Sequence, residues 1–185
     1  MVFRYFSTVS AALLISDIPA DPAGWWISEK YDGVRAIWTG TKLMSRNGND
    51  LRAPAWFVAG LPDCRLDGEL WMGRGRFDDL VSTIQRKDSN WEGVRYMVFD
   101  LADPSMPFEE RNAILSILPP IGHLEAVNHR ACKGHSDLDA TEAAIVAAGG
   151  EGCVLRRPGH LYRPGRAGDV VKVKRLTKDV DRWQG

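Results

Sequence analysis

Apolar residues along this chain come mostly in short runs that alternate with polar positions and are cut by glycine and proline, the pattern of half-buried strands. "WWISEKYDG" leads into "VRAIWTGTKLMSRNG", with Gly40 and Thr41 placed as a tight hairpin turn. The same reading expects strands at "RLDGELWM", "VRYMVFDL", "HLEAVN", "EGCVLRRP" and "DVVKVKRL". Helical spacing interrupts them. In "FDDLVSTIQR", Phe77, Leu80, Val81 and Ile84 share one face. "PFEERNAILSIL" begins after a proline, carries acids in its first turn and stops at Pro119-Pro120. In "DATEAAIVAAGG", Asp139 and Glu142 stand in capping-box register, with Gly149 past the end. The expected class is α+β: antiparallel β-sheets flanked by a few helices.

Composition narrows this picture little. At 185 residues, 44% hydrophobic and 26% charged, the chain suits one domain plus at most a short appendage. Basic and acidic residues balance at 24 each, so any nucleic-acid surface must come from local clustering. Cys64, Cys132 and Cys153 are odd in number and scattered, which argues for a reducing compartment. The opening "MVFRYFSTVSAALLISD" has a short apolar run but no A-x-A-like cleavage site, and no apolar stretch reaches the length of a membrane span. The cytoplasm is the expected compartment, with the periplasm as the alternative.

Charge becomes informative locally. "SEKYDGVRAIW" crowds Lys30, Asp32 and Arg35 around Gly33. A surface ion-pair cluster accounts for that as well as a nucleophilic lysine does, since lysine reacts only when its amine is neutral. In "LDGEL", Asp67 and Glu69 fall on one face of a strand. Phe99 in "VFDL" offers either core packing or a platform for a base. Glu151 sits between glycines in "GGEGCVLRRP". Lys172 and Lys174 share one strand face while Val171 and Val173 share the other, a pairing better suited to a phosphate than to packing. From Arg156 to Lys178 the chain carries Arg156, Arg157, Arg163, Arg166, Lys172, Lys174, Arg175 and Lys178, with Asp169 the one acid and Tyr162 among them. Such a stretch is either a solvated loop or a footprint for a DNA backbone. "GRGRFD" fails the dinucleotide fingerprint because Asp78 takes the third glycine's place, so it reads as a turn whose Arg74 and Arg76 are available to DNA. His129, Cys132 and His135 recur at metal-ligand spacing, but no clear fourth ligand accompanies them beyond Asp137.

Taken in order, these pieces resemble the adenylation (nucleotidyltransferase) domain of ATP-dependent DNA ligases, and most closely the minimal bacterial Lig E type. "KYDGVR" matches the K-x-D-G-x-R nucleophile motif, followed by "SRNG", "LDGEL", "YMVFDL", "EGCVLR" and "VVKVK" over roughly Trp25 to Leu176. The resemblance implies that Lys30 attacks ATP to form lysine–AMP, that AMP passes to the 5′-phosphate of a DNA nick, and that the 3′-hydroxyl then seals the strand. It assigns Lys30, Asp32, Lys172 and Lys174 to catalysis. Glu29, Arg35, Glu69, Phe99 and Glu151 join Lys30, Lys172 and Lys174 in binding the nucleotide, with Phe99 stacked on adenine. Glu69 and Glu151 would hold Mg²⁺ or Mn²⁺. Nicked double-stranded DNA would be met by Arg46, Arg74, Arg76, Arg156, Arg157, Arg163 and Arg166, the protein acting as a monomer away from membranes. Carboxylates for a divalent ion and cations for phosphates are what phosphoryl transfer requires.

Ligases of this kind continue into an OB-fold domain with a further basic motif. The expectation is an adenylation domain over residues 1–176 and the start of a linker at 177–185, impaired in self-adenylation without that partner. Within the wider superfamily, "EGCVLR" and "VKVK" argue against mRNA capping, which uses an Asp-Gly and a Trp-Lys element. RNA ligation stays open. NAD⁺-dependent ligation is disfavoured by the 29 residues ahead of Lys30, too few for a nicotinamide-binding domain. A non-catalytic nucleotide- or nick-binding module is the alternative from another class.

Overall fold

Period-two alternation is realised as nine strands among the described residues of a computed structural model, which are 18–86, 90–119, 121–163 and 168–174. In chain order the elements are β1 (Trp26–Glu29), β2 (Val34–Trp38), β3 (Leu43–Ser45), α1 (Ala55–Val58), β4 (Leu66–Trp71), α2 (Phe77–Gln85), β5 (Arg95–Leu101), α3 (Phe108–Ser116), β6 (Leu124–Ala126), β7 (Arg130–Ala131), α4 (His135–Ala147), β8 (Cys153–Arg156) and β9 (Val170–Val173). They form one sheet in the order β7-β1-β8-β9 and another in the order β3-β2-β4-β5-β6.

Each sheet buries one face. Ile27, Leu155 and Val171 of the first sheet pack with Leu138 of α4. Ala36, Leu66, Leu70 and Val98 of the second pack with Leu80 of α2 and Leu115 of α3. Alternation then leaves Ser28, Val154, Arg156 and Lys172 on the other face of the first sheet, and Arg35, Glu69 and Phe99 on the other face of the second. These side chains line one cavity between the sheets.

Two expectations are corrected. The sheets are not wholly antiparallel: β6 runs parallel to β5, with Tyr96 opposite Leu124. The reason is α3, which lies between them in sequence and carries the chain back so that β6 starts from the same end. The third predicted helix also starts a turn early, at His135, with Gly134 as its N-cap. Asp139 and Glu142 therefore lie inside α4 and form no capping box. Asp137 does the terminal work instead, accepting the Lys133 N–H at 2.9 Å and pairing with Arg130. No helix among the described residues is long and apolar enough to cross a membrane.

Candidate active site

Residues 30–33 carry the chain from β1 in one sheet to β2 in the other, so the K-Y-D-G segment is itself the crossover. Lys30 is fixed at its start: its backbone N–H donates to the Gly152 carbonyl at 2.9 Å. Its Nζ donates to Glu151 Oε2, both side chains being 17% exposed. Lys174 Nζ reaches the other oxygen of Glu151 at 3.3 Å. Burial works to raise the Glu151 carboxyl, but the two lysines outweigh it and hold the group below the usual carboxylate range. At the end of the crossover, Gly33 lies directly against β4: a Cβ there would run into the Leu70 carbonyl oxygen.

Beyond Gly33, Arg35 stands opposite Glu69 in the β2–β4 register and reaches diagonally to Asp67. Its Nε–H donates to Asp67 Oδ1 at 2.8 Å, and a second guanidinium nitrogen meets Oδ2, a bidentate pair. Asp67 is fully buried and accepts a third bond from the Tyr162 hydroxyl at 2.9 Å. Burial and Asp67 together push that hydroxyl well up. The guanidinium groups of Arg35 and Arg156 each lie 5.1 Å from the Phe99 ring centroid. Arg156 is 3.6 Å from Asp100, whose oxygens also hold Arg111 at 2.6 and 3.2 Å. Opposite Phe99, burial and then the Lys30 charge hold the Lys172 amine below its ordinary value.

The cavity enclosed by these groups measures about 600 Å³, within the range of roughly 300–1,000 Å³ usual for small-molecule sites. Around it stand Lys30, Arg35, Arg46, Arg156 and Lys172 against the carboxyls of Glu29 and Glu69, five cations to two acids. Burial pushes the Glu69 carboxyl up to about 7, against the pull of Arg35 and Lys30, so the surplus is larger still at neutral pH. Such a wall selects an anionic ligand, and Phe99 offers it an aromatic face. A smaller cavity of about 220 Å³ adjoins it, sharing Glu29, Lys30 and Tyr31 and adding Asp32, Arg74 and Glu151.

Divalent-metal chemistry fits this donor set. Glu151 and Glu69 supply hard oxygens, and both act electrostatically on Lys172. No group of three or more His, Cys, Asp and Glu side chains gathers among the described residues. Two carboxylates without a cage suit an ion that keeps its waters and takes further ligands from substrate phosphates.

The remaining sequence expectations divide. Arg46 is exposed at the cavity rim just after β3. Arg76 is exposed and paired with Asp79, and Arg157 is exposed and paired with Asp169. Arg163 is exposed, while Arg166 lies outside the described residues. Arg156 is buried against Asp100 and Phe99, on the cavity side of β8, rather than on the open surface with Arg157. Arg74 is committed to protein partners, Glu29 and the Ala148 carbonyl. The His129, Cys132 and His135 spacing does not converge. His129 packs on Phe108, the Cys132 thiol donates to Gly134 O, and His135 Nε2 meets Ala20 O. Sequence reasoning overlooked Tyr162 and Arg111 as site-supporting groups. Neither had a local signal, because their carboxylate partners come from β4 and β5.

Similarity to known proteins agrees with this geometry. A DNA ligase of Haemophilus influenzae is 35% identical over 156 residues, covering 82% of this chain and 58% of that protein. The multifunctional non-homologous end joining protein LigD of Pseudomonas aeruginosa is 31% identical over 182 residues, covering 87% of this chain and 21% of its own length. The chain thus spans little more than half the first relative. A solved Lig E DNA ligase superposes with a TM-score of 0.84 at 34% identity, covering 91% of this chain and 68% of that one. The Chlorella virus DNA ligase-adenylate shares the fold, at a TM-score of 0.72 and 20% identity over 91% of this chain and 68% of that one. Residues 15–174 match the family described as the ATP dependent DNA ligase domain, and the chain belongs to that family.

Proposed function

We propose that this chain is the adenylation domain of an ATP-dependent DNA ligase, sealing nicks in double-stranded DNA through a lysine–AMP intermediate. The observation that carries the reading is Lys30, which lines a cation-rich cavity together with Phe99. In the first step the neutral Lys30 amine forms an N–P bond to the α-phosphorus of ATP. The bond to the β-phosphate oxygen breaks, pyrophosphate leaves with the electron pair, and the amine proton goes to solvent. Lys172 and Lys174 offset charge on the phosphate, Arg35 and Glu69 hold the ribose, and Phe99 carries the adenine. In the second step the 5′-phosphate oxygen at the nick takes the AMP phosphorus as the N–P bond breaks. In the third, the 3′-hydroxyl attacks the nick phosphorus with Asp32 in support, and AMP departs.

Glu151 and Glu69 would hold Mg²⁺ or Mn²⁺, which supplies charge neutralisation at the transferring phosphate. Exposed Arg46, Arg76, Arg157 and Arg163 suit the DNA backbone, and Arg166 belongs to the same proposal. The protein acts as a monomer. Three cysteines, odd in number and scattered along the sequence, favour a reducing compartment, the cytoplasm, with the periplasm as the alternative.

Incubation with α-radiolabelled ATP and Mg²⁺, followed by denaturing electrophoresis, tests the nucleophile. Wild type should carry covalent label and Lys30→Ala none, and label on the variant would refute the assignment. A pre-adenylated nick offered in parallel tests the last step without the first, and DNA and RNA termini compared there decide the substrate.

A further inference from the structure

Arg74 sits in a glycine-flanked turn between β4 and α2, and its sequence context suggests a cation free to meet DNA. Its side chain is only 33% exposed, and two of its guanidinium nitrogens are already engaged. One donates to Glu29 Oε1 at 2.7 Å, and the other donates to the carbonyl oxygen of Ala148. Both partners adjoin reacting groups. Glu29 is the residue before Lys30, and Ala148 stands three residues before Glu151, the carboxylate that holds the Lys30 amine.

The intervening segment is stiff. Ala148 caps α4, and Gly149 follows at φ +82°, a left-handed conformation that only glycine adopts readily. Gly149 N–H donates to Val146 O and Gly150 N–H to Ile145 O, both at 2.8 Å, the paired bonds of a Schellman cap. A cation on the carbonyl end of the helix adds to that cap electrostatically. Glu29 is packed close on the same segment: a Cβ at Gly150 would come within 2.9 Å of Glu29 Oε1. A closed loop of contacts results, from Arg74 through Glu29 to Lys30, across the ion pair to Glu151, and back through the capped helix end to Arg74.

We propose that Arg74 is a positioning residue for the Lys30 chemistry, a clasp that fixes the nucleophile's strand against the helix end that presents Glu151. The inference deepens the ligase reading and rests on it. It places Arg74 outside the DNA contact set, because its engaged nitrogens face the interior of the clasp.

The test uses the full chain as wild type, Arg74→Ala, Arg74→Lys, Glu29→Ala, the double variant Glu29→Ala/Arg74→Ala, and Arg95→Ala as a remote surface control. In single-turnover labelling with α-radiolabelled ATP, Arg74→Ala should slow charging at saturating ATP by about 10–100-fold, the scale expected for a misplaced reacting group. The KM for ATP should stay within about threefold in Arg74→Ala, because Arg74 itself does not line the larger cavity. Arg74→Lys should recover part of the rate, and the double variant should be no slower than the worse single one. Affinity for nicked DNA and its salt dependence should match wild type. Charging at the wild-type rate, with a salt slope for nick binding reduced by about one, would make Arg74 a phosphate contact and overturn the inference. Amide exchange supplies a readout without turnover. The Lys30 N–H should lose protection in Arg74→Ala and keep it in Arg95→Ala. Unlabelled wild type that also fails to seal a pre-adenylated nick would count against the ligase reading, while that loss of protection would leave the clasp standing; unchanged exchange would refute the clasp.

Discussion

Glu69 and Glu151 are carboxylates on two adjoining cavities, yet their surroundings drive them apart. Burial dominates at Glu69 and lifts it to about 7, whereas Lys30 and Lys174 overcome the smaller burial of Glu151 and lower it. At neutral pH one is substantially protonated, able to donate as well as accept a hydrogen bond, and the other is an anion that neutralises the resting lysine. The raised value has a consequence for stability. Between the ordinary value of 4.5 and about 7 the folded state binds more protons at Glu69 than the unfolded chain does, so this residue's contribution falls as pH rises through that window. Glu69→Gln, which mimics the protonated form, should gain stability relative to wild type between pH 5 and pH 8, on the order of 1–3 kcal/mol at the upper end. Parallel urea titrations check it, and a difference independent of pH would mean that Glu69 ionises at its ordinary value. None of this was legible in the sequence, where "LDGEL" and "GGEGC" present two similar acids.

At the scale of elements, the crossover between the sheets is the most informative unit. Alternation along "WWISEKYDGVRAIW" correctly marks two strands, but not that they belong to different sheets with Lys30 at the junction. Gly33 makes the close approach of β4 to that junction possible. Gly33→Ala would force β2 from β4 at the Leu70 carbonyl and press on the Glu69 side chain. The expected cost is about 1–3 kcal/mol, as for other overpacked sites, with a weaker hold on nucleotide because Arg35 and Glu69 shift together. Urea midpoints and an ATP titration measure the two effects, and an unchanged midpoint would show that the strands yield freely. Helix α4 shows the opposite lesson. Its C-terminal glycine was readable, but its start depended on Asp137 finding Arg130 of β7, a partner that the local pattern does not disclose.

At the scale of the molecule, the two sheets meet around a buried aromatic and cationic cluster centred on Phe108. His129 lies edge-on to it at 5.1 Å and His160 stacks on it at 5.2 Å. Burial together with Arg156 pulls His129 down to about 3, against the opposing pull of the Val127 backbone. The unfolded chain takes up that proton near 6.5, so between 6.5 and 3 it binds more protons than the folded state, and stability is lost as pH falls. His129→Leu should therefore gain on wild type as pH drops from 7 to 5, by about 1–2 kcal/mol, and a constant difference in unfolding midpoint would show that His129 takes up its proton in the folded state at its ordinary value. By itself the sequence determined the α+β class, the order of the motifs and the faces of the strands, because alternation and turn residues act over a few positions. It also marked Lys30, Arg35, Glu69, Phe99, Glu151 and Lys172 as one chemical set. Only the tertiary structure decided that Arg156 is buried behind Phe99, that Arg74 clasps two elements, and that Asp67 anchors Arg35 and Tyr162 together. Those roles depend on which charges share a low-dielectric interior, and the pairing of distant strands sets that.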